Sequence, residues 1–150
     1  MQEKEFLIGQ YINRIARMNH RWLEPRLAEL GLAAAQLPVF GALKTLGPLS
    51  QKDLAAILHV EQSSMAQLLA RMERDGLIER VADPQDGRSS RIHLTKLALR
   101  LSGPAQRVLD EGRKISQKQM SSRDLDILER LLGKMLASME EALSSEQEKS

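Results

Sequence analysis

This 150-residue sequence predicts a mainly α-helical fold with one small β-hairpin, and three observations predict it. Apolar residues recur at helical spacing along most of the chain. Stop signals at Gly31, Gly47-Pro48 and Gly76 cut that pattern into separate helices. Between residues 77 and 95 the period changes to the alternation of strands, around a polar turn. Only four aromatic residues are present (Phe6, Tyr11, Trp22 and Phe40), so Leu, Ala, Ile and Met must build the core, which favours helices.

The first helix is expected over residues 5–30, with Ile8, Ile12, Ile15, Trp22 and Leu23 on one stripe. Pro25 should kink or divide it, and Gly31 should end it. The second covers 34–46. Pro38 leaves its start open between Ala34 and Gln36. Ser50-Gln-Lys-Asp53 is a capping box with Asp in place of Glu, and it opens a short helix carrying Leu54, Ala55 and Leu58. After the break 59–61 a further helix runs to Asp75. Strands are expected at 77–82 and 91–95. Asp83-Pro and Asp86-Gly between them are turn signals, so 83–90 forms the tip of a hairpin. Thr95 caps a long helix over 96–119, which Ser102-Gly103-Pro104 should bend. Ser121-x-x-Asp124 opens the last helix. There Leu125, Leu128, Leu132, Met135, Met139 and Ala142 step by 3, 4, 3, 4 and 3, a seam that needs a partner helix. The tail 144–150 is polar and expected to fray.

Several classes are disfavoured. A 42% hydrophobic, 28% charged chain buries a core and is not disordered. With no cysteine it has no disulfide, thiolate metal site or thiol redox sensor. His20, His59 and His93 lie far apart, without HxxxH or HExxH spacing, so a metal-dependent hydrolase is not supported. GxGxxG, GxxxxGK[ST] and GxSxG are all absent, so no enzyme and no cofactor is expected. No apolar run approaches the ~20 residues that span a bilayer. The start MQEKEFLIG does not open a signal peptide, so a cytoplasmic location is expected.

Net charge is only +2, but it is unevenly spread. Residues 88–118 hold eight basic and two acidic side chains, whereas 119–150 hold four basic and seven acidic. Such asymmetry fits one face meeting a polyanion, and equally fits solvated helix faces. On the helix after Glu61, Met65, Leu68, Leu69 and Met72 form a buried stripe. Ser64, Gln67, Arg71 and Arg74 share another face, with no acid among them. Amide and hydroxyl groups suit base edges, and guanidinium groups suit guanine or phosphate. The N-terminal residues of such a helix read bases, so the base-reading candidates are Gln62, Ser63, Ser64 and Gln67. Arg88 and Arg91 sit on the hairpin turn, where arginine can enter a narrow minor groove. Asp86 is expected to hold a neighbouring guanidinium in a bidentate pair. Taken alone, the helix face also reads as ordinary solvated surface, and the hairpin as an ion-paired loop.

The order helix, three-residue turn, helix, strand, basic hairpin, strand is that of a winged helix-turn-helix. In VEQSSMAQLLARMERDGLIER (60–80) followed by ADPQDGRSSRIHLT (82–95) the chain resembles the MarR/SlyA family of bacterial transcription regulators, including the DxRxxR wing pattern as Asp86, Arg88 and Arg91. The resemblance covers nearly the whole chain. It implies a winged DNA-binding region over 34–96, flanked at 1–33 and 97–150 by dimerisation helices, all in one compact domain. It further implies a homodimer addressing a palindromic operator in double-stranded DNA, with Arg88 in a groove, Arg91 on phosphate or Asp, and Ser63, Ser64 and Gln67 in the major groove. Gln67 departs from the basic residue of many relatives, and Ala33 from a common capping Ser or Thr.

The resemblance also implies a repressor, and a small aromatic carboxylate as effector in a cleft between the dimer helices and the DNA-binding lobe. Arg17 and His20 on the first helix and Leu37 and Phe40 on the second are the candidate cleft residues. The competing expectation is a helical protein-interaction module of the same fold without DNA binding, using the acidic, Met-bearing last helix.

Overall fold

The computed structural model describes residues 2–147. Its elements are α1 (Gln2–Ala28), a 3-10 turn (Ala34–Gln36), α2 (Leu37–Leu46), α3 (Gln51–Ile57), α4 (Gln62–Arg74), β1 (Ile78–Ala82), β2 (Ser90–Leu94), α5 (Lys96–Ser116) and α6 (Ser122–Gln147). This is a mainly helical winged helix-turn-helix, as the sequence predicts. The described chain divides into two compact units, one up to Gly112 and one from Arg113.

In the first unit one apolar cluster joins Leu23 and Leu27 of α1, Val39, Phe40 and Leu43 of α2, Leu54 of α3, Met65, Leu69 and Met72 of α4, Ile78 and Ile92 of the hairpin, and Ala98 and Ala105 of α5. The cluster therefore crosses the boundaries at 34 and 96 that the sequence suggests. The division falls inside α5, and none of the described side chains of α6 is buried. Along α1 the predicted stripe is covered only near its end: Leu23 is buried, while Ile8, Ile12 and Ile15 are exposed.

Pro25 does not divide α1. Leu23 and Leu27 straddle it, and both belong to the core. Burying Leu23 and Leu27 gains roughly 1.5–3 kcal/mol each, and the two together offset the ~3 kcal/mol an internal proline costs. Arg26 strengthens the same turn, donating from Nη1 to Trp22 O at 2.8 Å and lying 3.9 Å over the indole ring. The missing hydroxyl at Ala33 is also replaced. Its N–H donates to Gln36 Oε1 at 2.9 Å, and Ala34 N–H donates to Glu24 Oε1 at 3.0 Å. Pro38 then sits in the first turn of α2, where its lack of an N–H costs nothing.

Ser50 caps α3, its Oγ accepting from Asp53 N–H at 3.0 Å. Ser121 and Asp124 cap α6 reciprocally: Asp124 Oδ2 accepts from Ser121 N–H at 2.8 Å, and Ser121 Oγ accepts from Asp124 N–H at 3.2 Å. α5 continues through Pro104 and ends at Ser116, three residues before the expected Gln119. α6 extends to Gln147, into the tail expected to fray; residues 148–150 lie outside those described.

The hairpin pairs antiparallel from Ile78↔Leu94 to Ala82↔Ser90. Leu49 adds a one-residue third strand, exchanging hydrogen bonds of 2.7 and 3.4 Å with Ile92. Thr95 closes the base: its N–H donates to Leu77 O at 3.1 Å and its Oγ1 donates to Gly76 O at 2.6 Å. That Oγ1 also accepts from Ala98 N–H at 3.2 Å, capping α5. α4 ends in a tight reversal, with Gly76 at φ +73° and Leu77 N–H bonded to Met72 O at 2.8 Å.

Two substitutions test this packing in urea unfolding. Met72→Ala removes a fully buried side chain and is expected to lower stability by about 2–5 kcal/mol. Gly76→Ala meets only Leu97 Cδ2, at 4.0 Å, so its cost is the left-handed backbone alone, about 1 kcal/mol. A larger loss at Gly76 than at Met72 contradicts this account.

Candidate nucleic-acid interface

α4 has two faces for one reason. Met65, Leu69 and Met72 are fully buried and Leu68 half-buried, so the helix cannot rotate without exposing them. Gln62, Ser63, Ser64, Gln67, Arg71 and Arg74 are thereby held in solvent. Among the described residues, the side chains of Gln62, Ser63, Ser64 and Gln67 make no hydrogen bond. The two arginines are lightly engaged. Arg71 Nε donates to Gln67 O at 3.3 Å, and Arg74 Nε contacts Asp75 Oδ1 at 3.1 Å. Exposed contacts of this kind contribute little and yield readily to a better anion.

The turn before α4 is set by His59, the one non-glycine residue with positive φ (+52°) among those described. Val60 N–H reaches back to Ala55 O at 2.9 Å, so the chain reverses sharply between α3 and α4. Glu61 occupies the N-cap without using its side chain to cap. The first-turn N–H groups of α4 therefore remain uncapped, and the Glu61 carboxylate beside them opposes a phosphate there. That turn suits base edges better than the DNA backbone.

The hairpin tip departs from the expected pairing. Asp86 does not hold a guanidinium; its Oδ1 accepts from Arg88 N–H at 3.1 Å, and its carbonyl accepts from Ser89 N–H at 3.1 Å. An Asp two residues ahead naturally closes on the backbone in this way. Asp83 takes the expected role. Its Oδ2 accepts from Arg91 Nε at 3.1 Å, through one guanidinium nitrogen rather than two, while Arg91 Nη1 donates to Pro48 O at 3.4 Å. The register explains the choice. Arg91 faces Val81, and Asp83, two residues on, lies diagonally on the same face.

Arg88 is exposed, and its side chain has no partner among the described residues. Arg80, which no local sequence pattern marks, donates from Nε to Glu73 Oε2 at 3.3 Å and from Nη1 and Nη2 to Gln51 Oε1, each at 3.5 Å. Glu73 lies 7 residues away and Gln51 29 residues away, too far for any local pattern to reveal the pairing.

A cleft of about 430 Å³ in the first unit is lined by Ala16, Asn19, His20 and Leu23 of α1, with Ala34, Leu37, Pro38 and Leu109. Of the four expected residues, His20 and Leu37 line it. Arg17 and Phe40 do not. Ala16, Asn19, His20 and Leu23 share one helical face, off which Arg17 projects into solvent, and Phe40 is buried in the core. His20 Nδ1 lies 3.5 Å from Glu24 Oε1. Ala16, Asn19, Leu23, Ala34, Pro38 and Leu109 join His20 and Leu37 at the cleft, and Ala16, Asn19 and Leu23 follow from the helical spacing once His20 is placed. Among the described residues no cluster of three His, Asp or Glu side chains is arranged to hold a metal. No described helix is long and apolar enough to cross a membrane.

The Gln85 N–H foremost, and then the Arg91 guanidinium, hold the Asp83 carboxyl below its ordinary value. A depressed carboxyl stabilises the folded hairpin above the ordinary pKa of about 3.9, and that contribution is lost as pH falls through the lowered value. A carbon-13 NMR titration is expected to show Asp83 with a midpoint below that of the same residue in an unfolded peptide. An equal midpoint contradicts the pairing.

Residues 30–89 match the model of the MarR family. The chain is 32% identical over 87 residues to YwoH of Bacillus subtilis, an uncharacterized HTH-type transcriptional regulator. That alignment covers 58% of this chain and 63% of the relative, less than two thirds of its length. Among solved structures, the MepR–DNA complex of S. aureus is similar at 26% identity and a TM-score of 0.81, over 90% of this chain and 98% of that one. A MarR mutant from E. coli complexed with operator DNA shares the fold at 22% identity and a TM-score of 0.80, over 91% of this chain and 98% of that one. The helix-turn-helix pair and nearly all of the wing fall inside the segment that matches the MarR family model.

Proposed function

We propose that this protein is a sequence-specific DNA-binding transcriptional repressor that acts in the cytoplasm as a homodimer on palindromic operators. The observation that carries this reading is the set of polar groups left unpartnered on one module, namely the face of α4 and the guanidinium of Arg88. Gln62, Ser63, Ser64 and Gln67 read base edges in the major groove. Arg71 and Arg74 exchange their weak internal contacts for phosphates, and Arg88 enters the minor groove. Asp83 and Arg91 brace the wing, and Asp86 shapes its tip. The DNA in the similar MepR and MarR structures supports this assignment. A module of this kind seated over a promoter blocks it, hence repression.

The homodimer is supported by apolar surface that one chain leaves open. On α6, Leu128, Leu132, Met135 and Met139 of the seam are exposed, and so are Ile127, Leu131 and Leu136 beside it. On α1, Phe6, Tyr11 and Ile15 are more than half exposed. Exposed apolar surface of this character on each helix marks an interface. A small aromatic carboxylate is the proposed effector. The cleft offers apolar walls of suitable size, with Asn19 and His20 as polar anchors and Glu24 as the competitor the ligand must displace. Such a ligand releases DNA only by binding the DNA-incompetent form more tightly.

Selection from a random duplex pool, followed by fluorescence anisotropy, tests the DNA reading. Half-sites roughly 10 bp apart are expected. Arg88→Ala is expected to weaken specific binding by about tenfold or more, with unchanged thermal stability. No preference for any duplex, or full affinity in Arg88→Ala, overturns the assignment. For the effector, calorimetry with benzoate is expected to show saturable binding that His20→Ala weakens and Arg17→Ala leaves unchanged. Sensitivity to Arg17 alone would place the site elsewhere.

A further inference from the structure

We infer that Arg80 is a positioning residue that sets the angle between the wing and the recognition helix α4; the inference rests on the reading of both as DNA contacts. Arg80 stands on β1, Glu73 near the end of α4 and Gln51 at the start of α3. One guanidinium joins all three elements, through Nε to Glu73 at 3.3 Å and through Nη1 and Nη2 to Gln51 at 3.5 Å. The arrangement needs the arginine fork. A lysine ammonium reaches one of these partners as a point charge and cannot span both in a fixed plane.

Stability is a poor explanation for this bracket. The Arg80 side chain is 31% exposed and that of Glu73 47%, a setting in which ion pairs contribute little. The root of the hairpin is already held by Leu77, Ile78 and Ile92 in the core. What the core leaves soft is tilt. At about 3.3 Å per residue the tip lies roughly 16 Å beyond Arg80, so a 10° tilt displaces it by roughly 3 Å. A hydrogen bond is lost over a fraction of that distance. Small rotations that barely disturb the buried root therefore decide whether Arg88 and α4 engage one duplex together.

The experiment uses the full chain and its selected duplex, and reads affinity, salt dependence and melting temperature. Arg80→Lys is expected to weaken operator binding about tenfold, as loss of one groove contact does, with the melting temperature within about 3 °C of wild type. In an Arg88→Ala background the same change is expected to cost about twofold or less, because the contact it aims is already gone. Glu73→Ala removes a negative charge beside the DNA, so simple electrostatics predicts tighter binding; a bracket predicts weaker binding. Additive losses with a shallower salt slope would mean that Arg80 touches phosphate itself. A large fall in melting temperature would make its role structural, and unchanged affinity would leave it none; each of these overturns the inference. A wild-type chain without any duplex preference overturns instead the DNA reading beneath it.

Discussion

Three side chains with no exposed surface, Met65, Leu69 and Met72, fix the rotation of α4 about its own axis. Everything assigned to the proposed DNA-facing side depends on that constraint. Exposing one of these residues would cost roughly 1.5–3 kcal/mol, more than any exposed polar contact on the opposite face returns. The polar residues from Gln62 to Arg74 consequently stay in solvent whether or not an anion is present. The tight reversal at Gly76 transmits the constraint onward, since Leu77 is buried immediately after it and starts the hairpin from a defined point.

The hairpin divides its arginines by register. Arg91 lies diagonally across from Asp83 and is engaged, also reaching the carbonyl of Pro48. Arg80 faces the helices and braces Glu73 and Gln51. Arg88 follows a turn in which the nearest carboxylate, Asp86, is occupied by the backbone, and its guanidinium is left over. The acid in the DxRxxR pattern therefore works on the main chain in this protein, and the acid three residues earlier carries the ion pair. Burial at the root and hydrogen bonding at the tip together leave the Arg88 guanidinium without a partner among the described residues, at the end of a short lever.

The same logic separates the two halves of α1. Toward its end, Leu23 and Leu27 enter the core, and that burial carries the helix through Pro25. Toward its start, Ile8, Ile12 and Ile15 keep the helical period but stay exposed. α6 repeats the pattern along its length. Periodicity marks these residues as wanting a partner without saying which, and among the described residues most of them stay exposed.

Much of the architecture was legible from local chemistry. Helix ends follow from Gly31, Gly76, Ser50, Ser121 and Thr95, because caps and left-handed turns involve residues within a few positions of one another. The strands lie within one residue of their expected bounds, and the faces of α4 follow from its period alone. Long-range pairings were decided by the tertiary structure: Asp83 rather than Asp86 with Arg91, Arg80 with Gln51, Glu24 and Gln36 in place of a hydroxyl cap, and Asn19 rather than Arg17 at the cleft. The physical reason is one of range. Backbone geometry and capping are settled among neighbours in the chain, so composition and spacing report them. Which carboxylate meets which guanidinium depends on strand register and helix rotation, and those are set only when distant apolar residues pack together.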